Sequence, residues 1–255
     1  MGLNGVIMVV LHRAIQAEDK AARRAAILAA AERLLERAPE NFASVAQVAE
    51  EAGLAKGTVY LYFKTKEEML MAIHAEQANR LFDMVEAVIA AKSTAMTVEN
   101  AADCFCGFVQ ANPLFLQVAG KCHSSFERNI DPEFMYQFRL GVAHRLSQIG
   151  PHLEAIFPAL EAGQGVELLN HTYAFGIGTW QLCDPSQDPE GMARPGLEVL
   201  RRDPGPVLYR GLMALWRGFV APHVETLAVN AGSVSTDSAA AQPVARKAPV
   251  RSCLN

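Results

Sequence analysis

Long hydrophobic runs are the first thing this sequence lacks. The longest early one, Val6 to Leu11, has six residues, where a membrane-spanning helix needs about 20 and a signal-peptide core roughly 7–15. No Lys or Arg precedes it. Both facts argue against membrane insertion and secretion, and a cytoplasmic protein is expected. Cysteine is scarce: five residues, an odd count without framework spacing, which fits a reducing compartment and not a disulfide scaffold. Charge of one sign is not in excess either. Lys and Arg number 23 against 27 Asp and Glu, for a net charge of -4. That excludes a uniformly basic nucleic-acid coat but allows a local basic face. No stretch alternates like a strand between hairpin turns, so the chain reads as all-α.

Apolar material is plentiful. Hydrophobic residues are 51% and charged ones 20% of 255 residues, which excludes wholesale disorder and allows one or two domains with a sizeable core. Two ends differ in composition. Residues 1–19 show no clean periodicity and are expected to form a flexible lead, with Met8 as a second possible start. Residues 226–255 are rich in Ala, Ser and Pro and lack aromatics, the composition of a disordered tail. Between them Ile27, Ala31, Leu34, Leu35 and Ala38 recur at helical steps, and Pro39 and Asn41 end that helix. Later helices are predicted near 66–91, 97–111, 113–126, 132–148, 164–182 and 206–221. Asn112-Pro113 and Asp131-Pro132 mark starts. Ser44 with Gln47, and Thr65 with Glu68, have capping-box spacing. Gly150-Pro151, the 163–165 glycines and the stretch 184–206 mark breaks.

The informative block runs from Ser44 to Glu68, SVAQVAEEAGLAKGTVYLYFKTKEE. Ala49, Gly53 and Val59 stand four and six residues apart, as a helix-turn-helix requires. A small Ala lets the second helix pass close, Gly takes a positive φ at the turn, and Val points into the core. Phe63 shares the face of Val59. The outward residues are then Gly57, Thr58, Tyr60, Leu61 and Tyr62, introduced by Lys56. Gly57 permits close backbone approach, Thr58 and Tyr60 offer hydroxyls, and Leu61 suits a thymine methyl. Lys56 and Lys66 stand at helix starts, which attract phosphate. Between residues 20 and 66 there are eight Lys and Arg against five Asp and Glu, a local excess of the sign DNA needs.

This block resembles the N-terminal DNA-binding domain of the TetR/AcrR family of transcriptional regulators. The matching residues are Ser44-Val45, Val48-Ala49, Ala52-Gly53-Leu54, Lys56-Gly57-Thr58-Val59-Tyr60, Tyr62-Phe63 and Lys66-Glu67. Ala55 departs from the pattern, standing where many members carry a helix-capping Ser. The resemblance implies a three-helix DNA-binding domain over 20–70 and a larger helical ligand-binding and dimerisation domain over 71–225. It implies that Ser44, Lys56, Thr58, Tyr60, Tyr62 and Lys66 touch DNA, mainly its phosphates, with Gly57, Thr58, Tyr60 and Leu61 nearest the base edges. It further implies a homodimer on a palindromic operator, a repressor released by a small-molecule effector.

Two segments carry small residues at near-helical steps, 166–182 with Ala174, Gly176 and Gly178, and 207–220 with Gly211, Ala214 and Gly218. Such steps allow close helix approach, within one chain or between two; the resemblance favours a dimer seam. Aromatics concentrate between 104 and 138. Phe105, Phe108, Phe115, His123, Phe126 and Phe138, with His171, are the candidate lining of an apolar ligand site. Cys104, Cys106 and Cys122-His123 invite a metal or redox reading. On a helix, however, residues two apart point about 200° apart, so the first pair cannot share one ion. No P-loop, GxSxG, HExxH or GxGxxG occurs. No catalytic residue, metal or cofactor is expected. An enzyme, a regulator without a ligand and an activator are the rival readings.

Overall fold

The computed structural model describes residues 3–92, 95–124, 130–183 and 189–221; the tail expected at 226–255 lies outside them. Among the described residues there are ten helices and no strand: α1 (Leu3–Arg37), α2 (Val45–Glu51), α3 (Lys56–Tyr60), α4 (Lys66–Lys92), α5 (Val98–Ala111), α6 (Phe115–Ser124), α7 (Pro132–Ile156), α8 (Gln164–Cys183), α9 (Pro189–Met192) and α10 (Pro204–Val220).

Most boundaries follow local chemistry. Ser44 caps α2 with its hydroxyl while Gln47 reaches back to the Ser44 N–H, closing the box. Asp131 caps α7 ahead of Pro132, and Asp203 caps α10 ahead of Pro204. Thr97 and Asn100 close a box on α5.

Three expectations need correction. Residues 3–19, expected within an irregular lead, are helical and form the first half of α1. From Met8 to Arg37 the chain contains neither Gly nor Pro, so nothing local halts a helix once α1 is anchored. Gly150-Pro151 is no break. Pro151 lies inside α7, flanked by buried Ile149 and Leu153. Tertiary packing there outweighs the lost backbone bond. Asn112 does not start a helix. It closes α5, its side-chain amide donating to the Phe108 carbonyl at 2.9 Å, and α6 begins at Phe115.

Three apolar clusters organise the molecule. The first joins Ile27, Leu28 and Ala31 of α1 with Val48 and Ala49 of α2, Val59 of α3, Phe63, and Met69 and Ile73 of α4. The second joins Leu35 of α1, Leu70 and Met71 of α4, Val118 and Cys122 of α6, and Ile130. The third, and largest, gathers residues of α4, α5, α6, α7, α8 and α10, among them Leu81, Phe105, Phe115, Leu153, Leu168 and Trp216. Helix α4 contributes to all three. The helices α7 and α8 cross at a backbone contact: a Cβ on Gly165 would stand 2.8 Å from the Gly150 carbonyl carbon and closer still to its oxygen.

Candidate DNA-reading head and ligand cavity

Helices α2 and α3 are joined by a tight turn in which Gly53 has φ +65°, a conformation costly for any side-chain-bearing residue. The Leu54 N–H donates to the Ala49 carbonyl at 2.9 Å, and Ala49 is buried. Val59 and Phe63 are fully buried beneath the turn. What remains outside is α3's other face. Leu61 is 81% and Tyr60 44% exposed, and Lys56 and Gly57 are exposed beside them. Space is open beyond Gly57, where an added Cβ would meet nothing within 4 Å. The Lys56 ammonium lies 5.7 Å from the centroid of the Tyr60 ring, a cation–π contact that holds both at the helix tip. Thr58 is half-buried, and Lys66 is exposed as the first residue of α4. Tyr62 is half-buried against the head's core. Ser44 is exposed, with its oxygen already engaged in capping α2. At Ala55 no side chain caps α3.

The head is braced by ion pairs. Arg33 and Arg37 of α1 both bond Glu51 at 2.8 Å and hold its carboxyl below the usual range. Arg24 bonds Glu76 at 2.9 Å and lies over the Phe63 ring. Two further links reach into the body. Lys64, just beyond α3, bonds Asp131 at 2.7 Å. The contact raises the lysine's pKa and depresses that of the carboxyl. From α6, Gln117 and Lys121 donate to the Pro39 carbonyl at 3.2 and 2.7 Å, the turn that ends α1. Spacing alone revealed neither link, because each partner pair is far apart in the chain.

Within the body lies a cavity of about 380 Å³, within the range of small-molecule sites. Phe105, Phe115 and Phe138 line it. Phe108 is buried behind them, edge-on to Phe115 at 5.1 Å between centroids, and is core, not lining. His171 is exposed on the outer side of α8, its ring 5.5 Å from that of Phe219. The following two residues, Thr172 and Tyr173, turn inward to the cavity instead, as 100° per residue requires. Phe126 and the His123 side chain lie outside the described residues.

The aromatic census missed α4's wall, which is apolar at helical steps: Met71, Ala78, Leu81, Val85 and Val88, interrupted by His74. That stripe was there to be read. His74 Nε2 is 2.7 Å from the Tyr173 hydroxyl, and its ring stacks on Phe115. Thr172 accepts from the Trp216 indole at 2.9 Å and donates to the Leu168 carbonyl. Cys104 and Cys122 also face the cavity, whereas Cys106 packs against the core from the other side of α5. Burial pushes the Cys104 thiol up to about 11 and Cys122 to about 12, so both are protonated at neutral pH and poor nucleophiles.

A braced helix-turn-helix head carried on an all-helical body with an apolar cavity defines the class: a DNA-binding transcriptional regulator. Comparison with known proteins agrees. The family described as "Bacterial regulatory proteins, tetR family" matches residues 27–73, and the one described as "Tetracyclin repressor-like, C-terminal domain" matches residues 75–223. The chain belongs to the TetR family. A fatty acid metabolism regulator protein of Bacillus subtilis is 41% identical over 51 residues, which is 20% of this chain and 26% of that protein. An HTH-type transcriptional regulator of Haemophilus influenzae is 41% identical over 63 residues, 25% of this chain and 32% of that protein. These curated relatives are therefore matched over less than a third of their length. A solved structure described as a TetR-family transcriptional regulator from Mesorhizobium loti shares the fold with TM-score 0.50 and 18% identity, covering 79% of this chain and 96% of the other. Among the described residues no helix is long and apolar enough to cross a membrane.

Proposed function

We propose that this regulator is a homodimeric repressor that holds a palindromic operator and leaves it when a small, largely apolar ligand fills the cavity. Residues 20–70 read DNA and 71–225 bind the ligand and dimerise; no step of the reading calls for catalysis. Gly57, Thr58, Tyr60 and Leu61 lie nearest the base edges in the major groove, with Ser44, Lys56, Tyr62 and Lys66 on the phosphates. The exposure of Tyr60 and Leu61 over a buried Val59 supports this assignment. Two heads in successive grooves lie about 34–36 Å apart along the duplex.

The dimer seam runs along the outward faces of α8 and α10. Gly176 and Gly211 are taken by contacts within the protomer, with Phe105 and Phe175 respectively. Gly178 and Gly218, by contrast, have nothing within 4 Å of an added Cβ, and Ala174 and Ala214 are exposed. A strip of small residues remains on each helix for a partner to pack against.

The observation that carries the mechanism is α6. It places Phe115 and Cys122 in the cavity wall and Gln117 and Lys121 on the Pro39 turn at the base of the head. A ligand that displaces α6 shifts the head. A coupling of about 1–3 kcal/mol weakens DNA binding about 5- to 150-fold, and DNA weakens ligand binding by the same factor.

The test is binding of the purified protein to DNA from immediately upstream of its own gene, at two salt concentrations, beside Tyr60→Ala. Tight binding that falls with salt and is lost in the variant supports the head as read. Equal weak binding of both proteins to this DNA and to random DNA, repeated in a genome-wide selection of bound fragments, refutes it.

A further inference from the structure

Helix α7 is held in two different ways along its length. Toward its C-terminal end Ile149 and Leu153 are completely buried. The Glu154 carboxylate accepts from the Gly163 and Gly165 N–H groups at 2.9 and 3.0 Å, at the start of α8. Beside them lies the backbone contact between Gly150 and Gly165. By contrast, none of residues 132–148 is buried. Phe134, Met135, Phe138, Val142 and Leu146 are half-buried, and the last four line the cavity. Ion pairs fasten this half. Arg145 reaches Asp83 at 2.7 Å and Glu86 at 3.3 Å on α4, and lies over the ring of Phe82. Asp131, which caps the helix, holds Lys64 of the head.

The junction between the two halves is weak by composition. Pro151 has no N–H for the Ser147 carbonyl, and its ring crowds that oxygen. The Ser147 hydroxyl donates to the Ala143 carbonyl at 2.8 Å, a bond that competes with the helical one and favours bending. The lining residues exposed to solvent are Arg139 and Ala143 of α7 and Asn170 of α8. The mouth therefore opens between these helices, along the loosely held half of α7.

We propose that residues 132–148 are a hinged gate over the cavity, swinging about Ser147–Pro151 to admit and release the ligand while 149–156 stay locked to α8. The proposal rests on reading the cavity as the ligand site. A helical half without a buried residue opens at lower free energy than the body around it. Opening breaks the Arg145 and Asp131 fastenings and bares the lining side chains of α7. Closing restores both, with ligand inside or without it. The fastenings thus set how fast a ligand exchanges, while the buried walls of α4, α5 and α6 set how tightly it is held.

The test uses a neutral apolar fluorophore, N-phenyl-1-naphthylamine, on the full-length protein, with association and displacement followed by stopped flow. Its place in the cavity is checked by loss of binding in Ala78→Phe, a lining position where the larger side chain fills the space. Arg145→Met keeps an apolar stem over Phe82 but drops both ion pairs. Such partly exposed pairs contribute little each, so association and dissociation should both quicken about fivefold with the dissociation constant unchanged. Pro151→Ala, at an exposed position, restores a backbone bond across the hinge and should slow both rates by about as much. In the unliganded wild type, amide exchange read by mass spectrometry should reach 132–146 well before 149–156. Unchanged rates in both variants, an affinity altered through dissociation alone, or equal exchange along α7 overturns the gate while the cavity reading stands. No binding of the probe, or binding that survives Ala78→Phe, removes the cavity reading and the gate with it.

Discussion

Replacing Gly165 with Ala should pry α7 from α8. The added Cβ would lie 2.8 Å from the Gly150 carbonyl carbon and closer still to the oxygen. These atoms are backbone on both sides, so no rotamer change relieves the clash, and the helices must separate by about 1 Å to restore ordinary contact. Overpacking of this kind costs about 1–3 kcal/mol. Alanine returns at most ~1 kcal/mol of helix propensity, and less near a helix start. A net loss of about 1–2 kcal/mol follows, or roughly 2–8 °C in melting temperature for a body of this size. Because the same helices frame the cavity's mouth, the variant should also release a bound apolar probe faster. Gly178→Ala is the matched control on α8: nothing stands within 4 Å of its added Cβ, so the protomer should be as stable as wild type or slightly more so. If Gly178 lies in a dimer seam, that same variant weakens self-association in sedimentation analysis. A Gly165→Ala protein that melts at the wild-type temperature, with Gly178→Ala alongside, would refute the backbone crossing.

Three further outcomes are expected. Cys104 and Cys122 are raised from the ordinary thiol value of 9.0 to about 11 and about 12, so their contribution is intact below pH 9 and is lost as pH climbs through the raised values, where the unfolded chain ionises first. Chemical denaturation from pH 8 to 10 should therefore show falling stability, less steep in a Cys104→Val/Cys122→Val protein; equal slopes would contradict the burial effect. Gln117→Leu with Lys121→Ala removes both donors to the Pro39 carbonyl. DNA affinity without ligand and probe affinity without DNA should stay near wild type while the ligand-induced drop shrinks several-fold, and an undiminished drop would take α6 out of the coupling. Leu61→Ala, at an 81% exposed site, should leave the folding stability within about 0.5 kcal/mol of wild type yet lower operator affinity more than affinity for random DNA in fluorescence anisotropy; equal losses on both DNAs would move Leu61 off the base edges.

The head was legible because its signals are local. Gly53, Ala49 and Val59 act through spacing within one short segment, and the Ser44–Gln47 box spans four residues. Misreadings arose where distant packing overrode a local rule. Pro151 and Gly150 read as a stop, yet Gly150 is the contact surface that receives Gly165 from the next helix. Asn112 before Pro113 has the chemistry of a helix start, but its amide turned back to Phe108. His171 has the chemistry of a polar handle, but the neighbouring Thr172 and Tyr173 hold the inward face, a distinction that depends on α8's rotation about its axis. The links from Lys64 to Asp131 and from Lys121 to Pro39 join positions far apart in the chain, where periodicity carries no information.

The sharing of α4 among all three apolar clusters bears on how such regulators can be recombined. Met69 and Ile73 belong to the head's core, Leu70 and Met71 to the middle cluster, and Leu81 to the body. The two family descriptions meet at residues 73 and 75, inside this helix and with no linker between. A chimera that grafts this head onto another body at that point keeps the head's core whole but divides the middle cluster, and the foreign body must bring side chains of matching volume against Leu35, Leu70 and Met71, where Val118, Cys122 and Ile130 stand here. A graft that also carries Gln117 and Lys121, the donors to the head's Pro39 carbonyl, brings the links from α6 with the head; one that stops at residue 73 brings only the reader.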